Sequence, residues 1–260
     1  MHDDTRAAKR AVQSQFGKQA SWYTVSPRHE RSRGLEILLR LAAPAPADRA
    51  LDVATGTGFT SFALAERCRA VVALDFTEGM VHEAEGLRRE RGLANVAFCL
   101  GDAEALPFRD GVFDLVACRY ASHHFPNLAH AIAEMARVAR RGGRVVIDDT
   151  CAPEDPALAD LMNDWEVRRD RSHVLNVPPS RFRALFESTG FRVEAAEQTA
   201  IPQHFADWAR RGGMSPDDTA ALRAEFVTAS PAARAQFQIQ PENDDLAFAW
   251  TEAVVLGIKR

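Results

Sequence analysis

The sequence lacks the features that mark several classes of protein. Its four cysteines, Cys68, Cys99, Cys118 and Cys151, lie far apart and form no CxxC pair, which argues against a disulfide framework and for reduced thiols in a cytoplasmic protein. No apolar run approaches the roughly 20 residues that a membrane-spanning helix needs. The first residues, MHDDTRAAKR, are too charged for a secretory signal peptide. No internal repeat or low-complexity tract is present.

Basic charge is also scarce. Lys and Arg number 32 against 36 Asp and Glu, which leaves a formal net charge of -4. Because a phosphate-backbone partner requires a basic face, we expect no nucleic-acid partner. The rest is an ordinary globular composition, 46% hydrophobic and 26% charged, in 260 residues. That length suffices for one large α/β domain with added elements.

Short apolar runs alternate with helical patterns through the middle of the chain. The predicted strands are ALDVA, AVVALDF, VAFCL, FDLVAC and RVVIDD, and the predicted helices between them include SFALAERC, EGMVHEAEGLRRERG and AHAIAEMARVARRGG. Continuous apolar strands separated by helices are typical of a parallel sheet covered on both faces. The pattern therefore predicts a doubly wound α/β fold.

The regions before and after this alternating segment have a different pattern. We expect an N-terminal helical cap over residues 1–47, the α/β core over 48–150, and substrate-side helices with the final strands over 151–260. Ala8, Val12 and Phe16 fall at helical spacing in the cap, where Trp22 and Tyr23 are candidates to cover a ligand. PEDPALADLMNDWEVRRDRSH is a predicted helix, and 151–180 with 203–236 form a predicted lid.

Four arginines in the lid region allow two interpretations. They would either pair with an anionic acceptor, which guanidinium suits, or form a solvated charged face. The residues are Arg168, Arg169, Arg171 and Arg181.

The stretch LDVATGTGFT, residues 51–60, raises the question of what approaches its glycines. A glycine loop after the first strand of such a sheet lies at the crevice where nucleotide-like ligands bind. As a GxGxxG fingerprint it is incomplete, because Ser61 replaces the third glycine. With Asp75 at the end of the second strand, a nicotinamide-dinucleotide oxidoreductase remains one interpretation.

More of the chain supports another interpretation. LDVATGTG, VVALDFTEGM, GDAEALPFRDGVFDLVACR and MARVARRGGRVVIDD, in this order, resemble the class I S-adenosylmethionine-dependent methyltransferases. The branch that they resemble most includes the quinone-biosynthesis and small-molecule methyltransferases. The resemblance covers residues 48–150 and extends weakly to FGKQASWY. It implies a mostly parallel seven-stranded sheet with an antiparallel last strand, S-adenosylmethionine as cofactor, and a small-molecule acceptor whose reacting atom stays open.

The resemblance also implies roles for individual residues. Gly56 and Gly58, with Ala54 and Thr55, would border the amino-acid end of the cofactor, above Asp52. Asp75 would accept from both ribose hydroxyls. The other expected cofactor contacts are Phe76 and Met80 beside the adenine, Asp102 and Ala103 at its polar edge, and Arg119 near the methionine portion.

Candidates for a general base follow the fourth and fifth strands. They are Tyr120, His123, His124 and Asp149, and histidine is favoured because it titrates near neutrality. We expect His124 to be the base, since it lies closer to the following helix, with His123, Tyr120 or Asp149 as the alternatives. We expect no metal site, because no third ligand lies at a recognisable spacing from the two histidines. A cofactor-binding regulatory protein without transfer activity remains the non-enzymatic alternative.

Overall fold

The computed structural model describes residues 2–23 and 32–260, apart from the side chains of residues 2–4, 8 and 18–23. The predicted roles of Trp22 and Tyr23, and the predicted helical contact of Ala8, therefore lie outside the described side chains. The division into cap, core and lid stays a prediction. Among the described residues, no helix is both long and apolar enough to cross a bilayer.

Helices and strands alternate over residues 49–151, except that two of the strands follow one another directly, and after residue 151 the helices come in groups of two and three. The helices are α1 (His2–Tyr23), α2 (Arg33–Ala42), α3 (Phe59–Ala65), α4 (Glu78–Glu90), α5 (Leu128–Val138), α6 (Pro156–Arg169), α7 (Pro179–Ser188), α8 (Phe205–Gly212), α9 (Pro216–Thr228) and α10 (Pro231–Gln236). The strands are β1 (Arg49–Val53), β2 (Ala70–Asp75), β3 (Val96–Leu100), β4 (Phe113–Arg119), β5 (Ala139–Cys151), β6 (Phe191–His204), β7 (Gln240–Glu242) and β8 (Asp245–Lys259). A 3₁₀ turn spans Ser122–His124.

The strands form one sheet in the order β3-β2-β1-β4-β5-β8-β6, with β7 paired to β8. The pairs among β1 to β5 are parallel, whereas β8 runs antiparallel to both β5 and β6. The predicted doubly wound fold with an antiparallel last strand is confirmed, and the short strand β7 makes the sheet eight-stranded where seven strands were expected. Strand order reverses between β1 and β4, so their carboxyl ends flank the crevice at which α/β proteins bind ligands.

Apolar side chains cover both faces of the sheet. On one face the core includes Leu51, Val116 and Ile147, and on the other it includes Ala50, Leu115 and Val146. Neighbouring residues of one strand thus enter opposite cores, as the two-residue period of a strand requires. This burial explains why the central strands read as continuous apolar runs.

Two predicted helices end at least a full turn earlier than the sequence indicated. The helix over AHAIAEMARVARRGG ends at Val138, and Ala139 already pairs with Phe113. A Cβ at Gly143 would lie 2.8 Å from the Arg140 carbonyl oxygen, so the chain turns tightly here instead of continuing the helix. The helix predicted through RDRSH ends at Arg169.

The early end of α6 has a local cause. Asp170 accepts hydrogen bonds from both the backbone N–H and the hydroxyl of Ser172, an alternative to helical pairing that Asp and Ser side chains favour. The segment after α6 is therefore a loop, and His173 lies on it.

A third apolar cluster lies beyond the sheet core. It joins α6, α8, α9 and β8 through the stacked rings of Trp165 and Phe226, whose centroids are 4.1 Å apart, and through Trp208 and Trp250. This aromatic cluster positions α6 and α8 beside the carboxyl end of the sheet.

Candidate functional site

The glycine loop after β1 is held in left-handed backbone conformations. Ala54, Gly56 and Gly58 have φ of 55°, 55° and 91°. The strain at Ala54 gives a physical reason why glycine suits this position. A Cβ on Gly56 would meet no heavy atom within 4 Å, so its open side can receive a ligand.

The expectation for Gly58 needs correction. A Cβ at Gly58 would lie 2.7 Å from the Phe62 ring, and Gly58 does not line the cavity described below. Helix packing and a positive φ, rather than contact with a ligand, therefore account for this glycine.

Two buried carboxylates support the loop. Asp52 accepts from the hydroxyls of Thr55 at 2.6 Å and Ser61 at 2.7 Å, and burial raises its pKa to about 6. Asp75 accepts from the N–H groups of Gly56 and Thr77, both at 2.8 Å. Burial raises the pKa of Asp75 as well. These two N–H groups, the Thr77 hydroxyl and the Phe76 N–H oppose that rise by hydrogen bonding to the carboxylate.

The expected adenine-binding residues lie together beside this loop. Phe76, Met80, Asp102 and Ala103 all line one cavity with Gly56 and Asp75. Lys9 of α1 reaches the same place, 2.6 Å from Asp102 Oδ2 and 2.8 Å from Glu104 Oε2.

Helix α1 extends along the cavity from this end to the histidines. Gln13 Nε2 donates to the Phe76 carbonyl at 3.2 Å, and the edge of the Phe16 ring meets His124 with centroids 5.0 Å apart. Lys9, Val12 and Phe16 line the cavity. The sequence placed these residues in a helix but did not show what they contact.

Arg119 and Tyr120 connect the two ends of the cavity. Arg119 Nε donates to Thr60 Oγ1 at 2.8 Å, and its guanidinium lies 5.0 Å from the centre of the Tyr120 ring. Tyr120 has a φ of 51°, an uncommon backbone state that often marks functional sites. Burial, with Asp148 and Glu252 nearby, raises the pKa of the Tyr120 phenol, so it is poorly suited to act as a base.

His123 and Asp149 form a dyad. His123 Nδ1 lies 2.7 Å from Asp149 Oδ1, and Asp149 also accepts from Ser122 Oγ and from the Thr150 N–H. Burial opposes the charge on Asp149, but His123 and these donors outweigh it and lower the carboxyl pKa. An ionised carboxylate only accepts, so Nδ1 of His123 donates and Nε2 is left as the basic nitrogen.

His124 is in a different environment. Its Nδ1 lies 2.9 Å from the Ser172 carbonyl oxygen, and burial together with the nearby His123 lowers its pKa to about 3. The two adjacent rings line the same cavity, with centroids 4.1 Å apart. His124 is therefore a weak base.

Several residues of this end of the cavity were missed from the sequence. Glu166 Oε1 accepts from both Trp208 and Trp250, at 3.2 Å and 2.6 Å, and Oε2 accepts from Arg169 Nε at 2.9 Å. Burial raises the pKa of Glu166, but Arg169 and the other partners outweigh it and lower the pKa. These contacts join α6, α8 and β8, which no local pattern reveals.

His173 also escaped sequence reasoning. It lines the cavity, and its ring stacks on His123 with centroids 5.5 Å apart and an interplanar angle of 29°. Burial and the adjacent His123 lower its pKa to about 4. The sequence pattern predicts a helix through RDRSH, so it does not indicate the loop that brings His173 to the cavity.

Of the four lid arginines, only Arg169 lines the cavity. Arg168 pairs with Glu225 and Asp164 on the surface, while Arg171 and Arg181 are exposed. Arg211 of α8 lines the cavity and donates to Gln203 and Asp207. The cavity end therefore holds arginines that already have carboxylate partners.

The cavity brings together most of the predicted site residues. From the cofactor set it is lined by Ala54, Thr55, Gly56, Asp75, Phe76, Met80, Asp102, Ala103 and Arg119, and from the base candidates by Tyr120, His123 and His124. Asp52 and Asp149 lie behind it and act through hydrogen bonds. Within residues 2–23 and 32–260, no group of three or more His, Cys, Asp or Glu is arranged to hold a metal ion.

Comparison with known proteins decides the family. A family profile described as a methyltransferase domain matches residues 45–206. The chain belongs to this methyltransferase family. YcgJ, an uncharacterized methyltransferase of Bacillus subtilis, is 32% identical over 247 residues, which are 94% of this chain and 98% of YcgJ.

Solved structures agree with this assignment. The crystal structure of YcgJ superposes with a TM-score of 0.84 at 33% identity, covering 87% of this chain and 98% of YcgJ. A demethylmenaquinone methyltransferase of Beutenbergia cavernae is 44% identical over 108 residues, 42% of this chain and 43% of that protein. This methyltransferase is an enzyme that transfers a methyl group from S-adenosylmethionine to an acceptor.

Proposed function

We propose that S-adenosylmethionine binds along the glycine loop and that a small organic acceptor binds beside His123. The observation that carries this proposal is the His123–Asp149 dyad in the same cavity as Gly56, Asp75 and Asp102. When bound, the cofactor supplies an activated methyl group. The protein's task is to position the acceptor and to remove its proton.

The residues present suit the cofactor. Asp75 supplies a carboxylate acceptor for the ribose hydroxyls beside the glycine loop, and the space beside Gly56 allows close approach to the backbone. Asp52 would act from below by orienting Thr55 and Ser61. Asp102 would receive the adenine amino group, sharing its carboxylate with Lys9.

His123 is the proposed general base in place of His124. Asp149 holds the proton on Nδ1, so Nε2 can accept a proton from a hydroxyl, thiol, amine or carbon acid. The imidazolium that forms is stabilised by the same carboxylate. His124, with its pKa lowered to about 3, and Tyr120, with its pKa raised, are poorer bases at neutral pH.

Calorimetry and a transfer assay test the proposal. We expect S-adenosylhomocysteine to bind the wild-type protein, and NADH to bind weakly or not at all. Labelled methyl from S-adenosylmethionine, offered with a metabolite library, should appear in at least one small product. Tighter binding of NADH would support the oxidoreductase alternative, and cofactor binding without any transfer would support the regulatory one.

A cytoplasmic location accords with the chain's cysteines. All four are unpaired thiols, and Cys68, Cys118 and Cys151 are buried. Thiols of this kind persist in reducing compartments.

A further inference from the structure

Asn163 of α6 has its side-chain amide fixed by its neighbours. Its Nδ2 donates to the carbonyl oxygens of Ala159 at 2.9 Å and Asn176 at 3.1 Å. Because carbonyl oxygens only accept, the nitrogen must lie on that side and Oδ1 on the other. The acceptor atom of Asn163 is therefore directed towards the loop that follows α6.

This amide oxygen determines which nitrogen of His173 carries the proton. Oδ1 accepts from the Asn176 N–H at 2.7 Å and lies 3.0 Å from His173 Nε2. An amide oxygen only accepts, so Nε2 must be the donor. With its pKa lowered to about 4 by burial and by His123, the ring is neutral near pH 7 and Nδ1 is left without a proton. Within the described part of the chain, no hydrogen bond reaches this Nδ1.

The proton positions of His173 and His123 are thus each fixed by a neighbouring hydrogen-bond acceptor. Asp149 accepts a hydrogen bond from Nδ1–H of His123, and Asn163 accepts one from Nε2–H of His173. In the neutral form each ring has one unprotonated nitrogen, and the stacked rings line one cavity. Removing one proton from the methyl acceptor requires only one of these two unprotonated nitrogens.

The geometry points to His173 as a specificity residue whose Nδ1 accepts a second hydrogen bond from the methyl acceptor. The acceptor would then carry two neighbouring hydroxyl or N–H groups, one losing its proton to His123 Nε2 and the other held by His173. Asn163 is the positioning residue that keeps Nδ1 free of a proton. This inference rests on the proposed function of the cavity.

The charged side chains beside the histidines already have partners within the protein. Glu166 accepts from Arg169 and from both Trp208 and Trp250, and Asp170 accepts from Ser172. Trp208 and Trp250 line the cavity and suit a flat apolar body. A planar ring with adjacent hydroxyl groups, such as a 1,2-dihydroxyarene, combines these features.

Nuclear magnetic resonance of ¹⁵N-histidine-labelled protein measures the proton position directly. With S-adenosylhomocysteine added, long-range ¹H–¹⁵N spectra at pH 7 should show His173 as the neutral Nε2–H form, assigned by its loss in His173→Phe. Asn163→Asp keeps an acceptor oxygen and should keep the proton on Nε2. Asn163→Leu removes that oxygen and should give a mixture of both forms.

Two results would overturn the positioning role. One is an Nδ1–H form or a charged ring in the wild-type protein, and the other is an unchanged proton position in a folded Asn163→Leu protein. Should the leucine variant fail to fold, the wild-type and Asn163→Asp spectra still decide the question.

Binding of a matched pair of probes tests the acceptor class. Catechol should bind the S-adenosylhomocysteine complex about 5- to 10-fold more tightly than phenol, which lacks the second hydroxyl. In His173→Phe the preference should fall to within about twofold, whereas Arg171→Ala, on the exposed side of the same loop, should retain it. Equal affinities, or no binding of either probe, would overturn this acceptor class.

These readouts separate the inference from the proposed function. If S-adenosylhomocysteine fails to bind, or no acceptor is methylated, the proposed function is wrong whatever the proton position of His173. If the cofactor binds and transfer occurs but catechol has no advantage, only the role of His173 is wrong.

Discussion

The cavity has a proposed cofactor end, at Gly56 and Asp75, and a proposed acceptor end, at His123, and the two ends are built from different parts of the fold. At the cofactor end, the groups come from loops that directly follow β1, β2 and β3, and many of their contacts are with backbone N–H groups. At the acceptor end, the side chains come from the 3₁₀ turn, β5, α6 and its following loop, α8 and β8, and they contact one another. The first end suits the cofactor, which is common to the family, and the second end suits a methyl acceptor particular to this chain.

The carboxylates differ in the same way. Burial raises the pKa of Asp52 and Asp75 at the cofactor end. At the acceptor end burial also opposes ionisation, yet histidine and arginine partners lower the pKa of Asp149 and Glu166. These acidic groups are already satisfied by protein partners, so recognition of the acceptor is left to neutral nitrogens and ring faces.

Replacing the proposed base should have the largest effect. His123→Gln is expected to lower kcat by about 10²- to 10⁴-fold, because proton removal by a positioned base is lost. The affinity for S-adenosylhomocysteine, measured by calorimetry, should stay within about twofold. His130→Gln, an exposed histidine on α5, is the control and should retain full turnover. An equal loss of cofactor affinity in His123→Gln would show that the two ends are not separate.

Truncating the aromatic cluster should unfold the acceptor side first. Phe226 is fully buried against Trp165, Trp208 and Phe248, so Phe226→Ala should cost about 3–5 kcal/mol of unfolding free energy in urea. Val227→Ala, at an exposed neighbour, should change it by no more than about 0.5 kcal/mol. A drop in cofactor affinity that matches the drop in stability would contradict independent ends.

Removing the carboxylate proposed to bind the ribose should affect only cofactor affinity. Asp75→Ala is expected to weaken S-adenosylhomocysteine binding by about 10-fold or more, since hydrogen bonds to a charged acceptor contribute about 1.5–3 kcal/mol each. Asp114→Ala is the matched control, because this carboxylate pairs with Arg140 and the Arg49 N–H at the amino end of β1. Unchanged affinity in a folded Asp75→Ala protein would remove Asp75 from the site.

The smallest effect is expected at Arg168. Its pairs with Glu225 and Asp164 lie near the surface, so Arg168→Ala should change stability by less than about 1 kcal/mol and leave turnover unchanged. Arg169→Ala, one residue away, should reduce turnover because it unpairs the buried Glu166. Reduced turnover in Arg168→Ala would revive the anionic-acceptor interpretation.

The residues proposed for the cofactor end are easier to find in the sequence than those of the proposed acceptor end, for a physical reason. Asp52, Gly56 and Asp75 lie at ends of strands whose apolar runs are visible in one dimension. Gly58 was misread because its neighbour, Phe62, lies within the next helix turn. The spacing of residues in the sequence does not predict this contact.

The acceptor end depends on contacts between distant residues. His123 meets Asp149 and stacks on His173, and Glu166 binds Trp250 across 84 positions of the chain. Sequence reasoning found the histidine pair but favoured His124, because nothing local shows that Asp149 bonds the other ring. The loop at 170–173 was hidden by an apparently continuous helix.

The pH dependence of turnover tests the central assignment most directly. Burial lowers the pKa of His123, but Asp149 outweighs burial and raises it above the ordinary 6.5. The base form is lost as the pH falls through that raised value, so kcat should decline on the acid side with an apparent pKa above 6.5, and this limb should vanish in His123→Gln. An acid limb near pH 3 or 4, where His124 and His173 titrate, or an identical limb in the variant, would contradict the account.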